Sequence, residues 1–282
     1  MTRQATGGRI AALKVYPVKG CGAVAVEQAT LRPLGLHEDR RWMIVEAATG
    51  RFLTQRNLAI LATIRPQLRS DELLLELPNG PVLTLAVTDR GDPRRVMVWR
   101  DEVDAIEPDK AASDALSKWL GRPVALVRFP ETAERPCDLD HAPAGSRVAF
   151  ADGFPLLVTS TGSLDALNAR IAERGADPVP MQRFRPNIVI EGVDSGAEDR
   201  ARSLVIEDGP RIDLVKRCTR CAVTTVDQAT GVKTGKEPIR TLAVIRADKP
   251  SGGVWFGQNA VPRLAPGDEA GLQVGQRCLL EP

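Results

Sequence analysis

The chain has 282 residues, of which 43% are hydrophobic and 26% are charged, a composition typical of a globular protein with a sizeable core. Its 38 basic and 36 acidic residues leave a net charge of +2, and aromatic residues make up only 4%, so a nucleic-acid-binding surface is not indicated. The longest apolar runs fall far short of the roughly 20 residues of a membrane helix, and the polar first nine residues lack the apolar core of a secretion signal. These features favour a cytoplasmic protein without a membrane partner.

The first half of the chain predicts a series of short β-strands. Alternating or β-branched apolar runs, bounded by turn residues, predict strands at 9–18, 23–31, 41–46, 52–54, 60–68, 72–77, 82–87, 96–99 and 103–107. Helical spacing then appears over residues 109–120, where Asp109 suits the start of a helix and Gly121 its end. Residues 124–129 return to a strand pattern.

The second half follows an irregular stretch. Residues 130–147 contain three prolines and no periodic pattern, which predicts a linker between subdomains or a functional lid. Further strands are predicted at 154–158, 188–190, 203–206, 212–216, 223–226, 242–246 and 271–280. One helix is predicted with Ser163 as its N-cap and with Leu164, Leu167 and Ile171 on one face. The whole pattern favours a strand-rich α+β fold with barrel-like cores.

The cysteines carry the first chemical signal. There are five, an odd number, and only Cys218 and Cys221 are close in sequence, so a disulfide framework is not indicated. Their Cys-Thr-Arg-Cys motif is compatible with a zinc or iron–sulfur site, a thioredoxin-type redox pair, or two small buried hydrophobic side chains. It is also compatible with one thiolate that binds a soft metal whose other ligands belong to a cofactor. A second Cys-x-x-Cys motif and a following helix, which the first two alternatives need, are not found in the sequence pattern.

Three other segments are candidate anion sites. Lys19 and Arg40 lie beside strand ends, and the Gly20 loop could bring backbone N–H groups close to an anion. Ser160 and Thr161 lie where a predicted strand meets a helix start, which suits phosphate. Arg185 forms the third segment with Arg183, and alternation along an extended chain would put both guanidinium groups on one side. The alternatives are a solvated lysine with a surface ion pair, an ordinary N-cap, and a solvated strand edge.

Taken together, these segments resemble one family. The motifs in chain order are Tyr16-Pro17-Val18-Lys19, Asp39-Arg40-Arg41-Trp42, residues 157–167, residues 184–190, residues 220–227 and Phe256-Gly257-Gln258-Asn259. They are similar to those of MOSC domain proteins that carry an N-terminal β-barrel domain, the group of the mitochondrial amidoxime-reducing component and its bacterial relatives. The resemblance covers nearly the whole chain. It implies an N-terminal β-barrel-like domain over residues 8–129 packed on a C-terminal MOSC β-barrel domain over residues 148–282.

The resemblance also implies a cofactor, the molybdenum-bearing pterin dithiolene known as molybdopterin. The cysteine that precedes the Ala-Val-Thr-Thr-Val-Asp run matches the family's metal ligand, which assigns this role to Cys221 and makes Cys218 a neighbour. The positions expected to hold the pterin and phosphate are Lys19, Gly20, Arg40, Ser160, Thr161, Arg185 and Asn187. Many family members have serine where this chain has Gly20. The membrane anchor and iron–sulfur domain found in some members are not expected here.

The implied activity is two-electron reduction of small N-hydroxylated or N-oxide molecules. Electrons would come from a separate donor protein, such as a ferredoxin, a flavoprotein or a cytochrome b5-like protein, and a monomer or weak oligomer would suffice. Asp227 is a candidate proton relay, with a turn role beside Gly231 as its alternative. Two other functions stay open: a sulfur carrier with a persulfide on Cys221, and a carrier that stores the cofactor without turnover.

Overall fold

The computed structural model describes residues 5–248 and 252–282. The first half contains β1 (Thr6–Val15), β2 (Val18–Lys19), β3 (Val24–Val26), β4 (Gln28–Arg32), β5 (Gly35–Leu36), β6 (Trp42–Glu46), β7 (Arg65–Leu68), β8 (Glu72–Glu76), β9 (Val82–Ala86), β10 (Asp92–Val98), β11 (Asp101–Glu107), α1 (Lys110–Leu120) and β12 (Val124–Arg128). The second half contains β13 (Leu156–Ser160), α2 (Thr161–Ala172), β14 (Ile188–Glu191), α3 (Ala197–Arg200), β15 (Ser203–Ile206), β16 (Arg211–Arg220), α4 (Ile239–Ile245), β17 (Ala247–Asp248), β18 (Gly253–Pro262), β19 (Ala270–Gln273) and β20 (Arg277–Glu281). None of the helices in these two ranges is long and apolar enough to cross a bilayer.

The largest sheet closes into a barrel of seven strands. Its strand order is β13-β14-β1-β20-β15-β16-β18, and pairing of β13 with β18 closes the ring. The interior is filled by alternate aliphatic residues such as Ile10, Leu13, Leu204 and Ala260. Because β1 lies between β14 and β20, the barrel uses strands from both ends of the sequence. The two halves of the chain are therefore interleaved in space.

A second unit, here called the N-terminal unit, comprises β2, β6–β12 and α1. It contains a five-stranded sheet in the order β10-β11-β12-β6-β2 and a three-stranded sheet of β7, β8 and β9. Helix α1 begins and ends as its sequence predicts. The Asp109 side chain accepts a hydrogen bond from the Ala112 N–H, and Gly121 ends the helix with φ of +66°. Leu116 and Trp42 belong to one buried cluster, so α1 covers this sheet. The predicted strand-rich α+β architecture is confirmed.

Residues 130–147 form an irregular segment that is anchored to both units. Buried Arg135 donates hydrogen bonds to the carbonyl oxygens of Ala149, Ala151 and Asp152 and pairs with Asp101. These bonds satisfy backbone oxygens that no strand pairs. They also fix the position of the segment that follows, which contains Asp152.

Two predicted strands in the second half are wrong. The predicted strand at 223–226 falls mostly in a 3₁₀ turn, Ala222–Thr225, because the hydroxyls of Thr224 and Thr225 donate to backbone oxygens three residues earlier. Residues 242–246 belong to α4 and the residue that follows it. There Leu242 is fully buried against Phe184 and Phe256, while exposed Val244 contributes nothing to a sheet. A short apolar run does not distinguish a helix from a strand by its pattern alone.

The structure differs from the sequence predictions at three further places. The N-cap of α2 is Ser160, whose Oγ accepts a hydrogen bond from the Ser163 N–H. The ten-residue strand β18 was not predicted, because Gly257 and polar neighbours interrupt its apolar pattern. The Arg183 and Arg185 segment is not extended, since Arg183 lies in a 3₁₀ turn and Arg185 has φ of +57°.

A buried ion pair stabilises the N-terminal unit. Both Arg128 Nη atoms donate to the Glu38 carboxylate, at 2.6 and 2.9 Å, and both side chains are buried. Burial opposes ionisation of Glu38, but the hydrogen bonds and charge of Arg128 outweigh it and hold the pKa of Glu38 below its ordinary value of 4.5. A lowered carboxyl pKa means stability that is present at neutral pH and lost as the pH falls below that value.

Glu38→Ala is therefore expected to lower the free energy of unfolding by about 2–3 kcal/mol, because it removes the hydrogen bonds of both buried Arg128 Nη atoms and leaves only the contact of Nε with Asp89. Urea denaturation at pH 7 measures this loss. Asp114→Ala, which breaks an exposed ion pair with Lys110, is the control and should cost less than about 1 kcal/mol. Equal losses in the two variants would contradict the assignment.

Candidate functional site

A cavity of about 160 Å³, open to solvent, lies where the barrel meets the N-terminal unit. The N-terminal unit and its connections contribute Lys19, Arg40, Arg56 and Trp99, and the segment before β13 contributes Asp152. The barrel contributes residues before β14, within and directly after β16, and within β18: Arg185, Asn187, Cys218, Arg220, Cys221 and Asn259. The site therefore exists only when the two units pack together.

Six of the predicted site residues line this cavity: Lys19, Gly20, Arg40, Arg185, Asn187 and Cys221. Three do not. Ser160 is fully buried, where its hydroxyl donates to Glu198 and caps α2, and Thr161 is the first residue of that helix. Asp227 accepts hydrogen bonds from the N–H groups of Ala229 and Thr230, which makes it a turn residue.

Part of the cavity wall is formed by two guanidinium groups that lie against the ring of a tyrosine. Arg40 and Arg185 lie over the Tyr16 ring, with their Cζ atoms 4.2 and 4.3 Å from its centroid. Arg40 also donates to Asn187 Oδ1 at 2.9 Å and to the carbonyl of Arg185 at 3.1 Å. Asp39, which is buried, pairs with Arg40 from behind. Both guanidinium groups are fixed against one ring and both side chains line the cavity, so its wall presents two planar cations to an oxyanion such as phosphate.

Arg185 carries a charge that the protein leaves largely uncompensated. Its Nη1 donates to the carbonyl of Cys21 at 2.7 Å and to Gln228 Oε1 at 3.1 Å, and neither acceptor is a carboxylate. Burial lowers the pKa of Arg185 from 12.5 to about 10. The guanidinium thus remains charged at neutral pH at a desolvation cost, which an anionic ligand would offset.

Lys19 occupies a second position in the same cavity. Its Nζ donates to the carbonyl of Phe150 at 2.7 Å and to Asp152 Oδ1 at 2.6 Å. Burial lowers the pKa of Lys19, and the charge of Asp152 partly restores it. Burial also opposes ionisation of Asp152, but the charge and hydrogen bond of Lys19 prevail and lower the pKa of that carboxyl. The pair is therefore ionised at neutral pH.

Both partly exposed thiols line the same cavity. Cys221 directly follows β16 and caps the 3₁₀ turn of residues 222–225, and Arg56 Nη2 donates to its Sγ at 3.4 Å. Cys218 lies within β16, where Arg220 Nη1 donates to its Sγ at 2.8 Å. Among the described residues, no three His, Cys, Asp or Glu side chains converge on one point. A metal at Cys221 would thus take most of its ligands from a cofactor.

The packing of β18 beside the cavity depends on one glycine. Phe256 of β18 stacks on Phe184, with ring centroids 4.0 Å apart. The next residue, Gly257, has φ of +78°, and a Cβ there would lie only 2.8 Å from the carbonyl oxygen of Val158. Only glycine allows β18 to approach β13 this closely and bring Asn259 to the cavity.

Four residues that line the cavity were not predicted from the sequence: Gln55, Arg56, Trp99 and Asp152. All four come from loops outside the recognised motifs, and their proximity arises from packing between units. One local signal existed for Trp99, which occupies a two-residue hairpin turn between β10 and β11 where glycine or asparagine is preferred. In the structure Arg40, Trp99 and Arg185 all line the cavity with positive φ. Such strain concentrates at functional sites.

The cysteine environments predict a distinct alkylation pattern. Burial raises the pKa of Cys21 and Cys137 to about 12 and that of Cys278 to about 11, and all three are almost inaccessible. Iodoacetamide at pH 8 is therefore expected to modify native, cofactor-free protein only at Cys218 and Cys221, the partly exposed thiols. Peptide mass spectrometry, with a denatured sample as the control for full labelling, makes the comparison. Rapid native labelling of Cys21 would contradict the structure.

Comparison with known proteins agrees with the motifs and the fold. Residues 7–123 match the MOSC N-terminal beta barrel domain, and residues 145–276 match the MOSC domain. Over 267 residues the chain is 32% identical to mitochondrial amidoxime-reducing component 1 of Homo sapiens, which covers 89% of this chain and 76% of that protein. The chain belongs to the MOSC family. This MOSC protein is also 31% identical over 262 residues to a molybdenum cofactor sulfurase of Oryza sativa, covering 86% of the chain but 31% of that longer protein.

The family carries a molybdenum-cofactor-related function, and the residues of this MOSC protein fit that cofactor. Among the described residues lining the cavity, five side chains are cationic (Lys19, Arg40, Arg56, Arg185 and Arg220) and one is a carboxylate, Asp152. Buried Arg220 Nε has no hydrogen-bond partner. A phosphorylated pterin with a dithiolene-bound metal supplies the complementary features, since its phosphate is anionic and its metal is matched by a soft thiolate.

Proposed function

We propose that this MOSC protein is a molybdenum-cofactor-dependent reductase of small N-hydroxylated or N-oxide compounds. The observation that supports it most is that one cavity is lined both by a pair of guanidinium groups and by partly exposed thiols. Arg40 and Arg185, stacked on Tyr16, suit the cofactor phosphate, while Cys221 suits the metal. The similarity to amidoxime-reducing components supports the reaction type.

The protein residues contribute binding and orientation. Lys19 adds a third cation to the cavity wall, and Asn187 orients Arg40 by accepting its hydrogen bond. Gly20 presents its backbone at the cavity wall with φ of +85°. Cys221 is the proposed single protein ligand of the metal. When bound, the cofactor supplies the two-electron chemistry that removes oxygen from nitrogen. The positive cavity raises the local concentration of negatively polarised substrates and fixes the anionic cofactor in one orientation.

The proposed phosphate contacts of Ser160 and Thr161 and the proton relay at Asp227 have weaker support. Ser160 is committed to Glu198 and the α2 cap, and Asp227 is committed to its turn. Backbone hydrogen bonds in that turn, led by the one from Thr230, lower the pKa of the Asp227 carboxyl. A group that stays ionised at neutral pH is a poor proton donor.

A sulfur carrier is the second candidate. The similarity to the molybdenum cofactor sulfurase favours it, as does the partial exposure of Cys221, which would allow a persulfide to form there. The guanidinium pair argues against it, because sulfur carried on one cysteine needs no phosphate site. Cyanide-releasable sulfur on molybdenum-free protein would support the carrier.

The reductase proposal is tested with an artificial electron donor, because the natural donor, proposed to be a separate ferredoxin, flavoprotein or cytochrome b5-like protein, is not needed for the chemistry. Protein purified from a cofactor-competent host is mixed anaerobically with reduced viologen and benzamidoxime, and formation of benzamidine is followed. Turnover in proportion to molybdenum content supports the proposal. Full molybdenum content without turnover on amidoximes, hydroxamates or N-oxides would refute it and favour a cofactor carrier.

A further inference from the structure

One wall of the cavity, next to Cys221, comes entirely from the N-terminal unit and is not used by the proposed cofactor contacts. This Arg56 wall consists of Arg56, Trp99 and Phe52. The Arg56 guanidinium lies over the Trp99 ring, 4.5 Å from its centroid, and Phe52 packs edge-on against Trp99 at 5.0 Å. The stack holds the guanidinium where its Nη2 reaches Cys221 Sγ at 3.4 Å.

Arg56 has a charge that is free for a ligand. In the described ranges no carboxylate lies within ion-pair distance of its side chain, whereas Arg40 and Lys19 pair with Asp39 and Asp152. Asp152 feels the charge of Arg56 but is hydrogen-bonded to Lys19 and to Trp99 Nε1. The cofactor phosphate is proposed to use Arg40 and Arg185, so Arg56, which contacts Cys221 Sγ, is available to another ligand.

The backbone at Trp99 supports a role beyond packing. Trp99 is 44% exposed and has φ of +60° at the first position of the two-residue turn between β10 and β11. Glycine is strongly preferred at such a position, and a bulky aromatic residue there costs stability. An exposed tryptophan kept in a strained turn, beneath an arginine that faces a metal-ligand cysteine, indicates selection for function.

A guanidinium group binds best to an oxygen that carries negative charge. We propose that Arg56, held in place by Trp99, is a substrate-binding residue that binds the negatively charged oxygen of N-oxide substrates beside Cys221. The same positive wall disfavours cationic substrates such as N-hydroxyguanidinium compounds. This inference rests on the proposed reductase function for its substrate class, but the binding step can be measured without the cofactor.

The binding step is measured on cofactor-free protein by tryptophan fluorescence, because Trp99 reports on its own stack. Trimethylamine N-oxide, whose oxygen carries negative charge at neutral pH, is the probe. Wild type is expected to give a saturable signal, Arg56→Gln to bind roughly 10- to 100-fold more weakly, and Arg56→Lys to be intermediate. Arg217→Gln is the matched control, since Arg217 stacks on Trp255 at 4.4 Å but neither residue lines the cavity. Thermal melts of all variants check that they fold.

The substrate preference is measured on cofactor-loaded protein with the artificial donor. Arg56→Gln is expected to keep its molybdenum and to lose roughly 10- to 100-fold in kcat/KM for trimethylamine N-oxide, mainly through KM. Turnover of an N-hydroxyguanidinium compound should be unchanged or faster. Arg56→Lys should restore part of the N-oxide KM, which a purely structural role would not produce.

The two proposals fail in distinguishable ways. If wild type reduces N-oxygenated compounds but Arg56→Gln matches it in probe affinity and in KM, the role of Arg56 is refuted and the reductase function stands. If loaded wild type reduces none of them while the fluorescence signal still requires Arg56, the reductase function falls and Arg56 remains an anion-binding residue.

Discussion

Cys221→Ser is expected to lower reductase activity by more than about 100-fold, because loss of outer contacts to a metal ligand already costs roughly 10- to 100-fold. Serine places a hard hydroxyl where a soft thiolate faces the cavity, and a soft metal binds it poorly. The substitution changes one atom at a position that is only partly buried, so the fold should be retained. Activity per protein and a thermal melt together measure the effect.

Cys218→Ser tests whether Cys218 is only a neighbour of the proposed metal ligand Cys221. The serine hydroxyl can accept the hydrogen bond that Arg220 Nη1 donates to Cys218 Sγ, so activity should remain within about twofold of wild type. Both cysteines line the same cavity and differ mainly in which one caps the turn after β16. Loss of activity in Cys218→Ser with retention in Cys221→Ser would reverse the assignment.

Arg185→Gln is expected to separate cofactor binding from stability. Removing one charged hydrogen-bond donor from the pair of guanidinium groups should weaken cofactor retention by roughly 10- to 100-fold. In cofactor-free protein the free energy of unfolding should change by less than about 1 kcal/mol, or rise, because burial of the unpaired charge is relieved. Glutamine can still donate to the carbonyl of Cys21, which Arg185 does in wild type.

The measurements are the cofactor-to-protein ratio after gel filtration and urea denaturation of the cofactor-free forms. Arg170→Gln, in an exposed pair with Glu173, is the control and should change neither quantity. Unchanged cofactor content in Arg185→Gln would mean that the guanidinium pair serves another purpose. A large stability loss without cofactor would mean that Arg185 is a structural residue.

Elements with a long, regular pattern and explicit end signals could be predicted from the sequence. Helix α1 is the clearest case, because Asp109 and Gly121 mark its ends and its apolar residues keep helical spacing. Short apolar runs were ambiguous. The run that forms α4 is rich in β-branched residues, but burial of Leu242 against two phenylalanines determines its conformation. Tertiary packing overrode local propensity there.

The site was predicted where motifs carry it and missed where packing creates it. Lys19, Arg40, Arg185 and Cys221 belong to recognisable motifs, and the structure brings them to one cavity. Arg56 reaches Cys221 across 165 positions of sequence, through contact between the two units. No local pattern encodes such a contact. Ser160 shows the converse, because a strand-to-helix junction resembles a phosphate site, yet its hydroxyl caps the helix.

Elemental analysis for molybdenum, on wild-type protein purified from a host that synthesises the cofactor, decides whether this MOSC protein holds its metal through Cys221. Cys218→Ser and Cys221→Ser are prepared in parallel, and released pterin is measured by its fluorescence after oxidation. We expect near-stoichiometric molybdenum and pterin in wild type and Cys218→Ser, and loss of the metal or of its reductase activity in Cys221→Ser. Folded wild type that contains neither molybdenum nor pterin would contradict the cofactor assignment and leave the sulfur carrier as the better explanation.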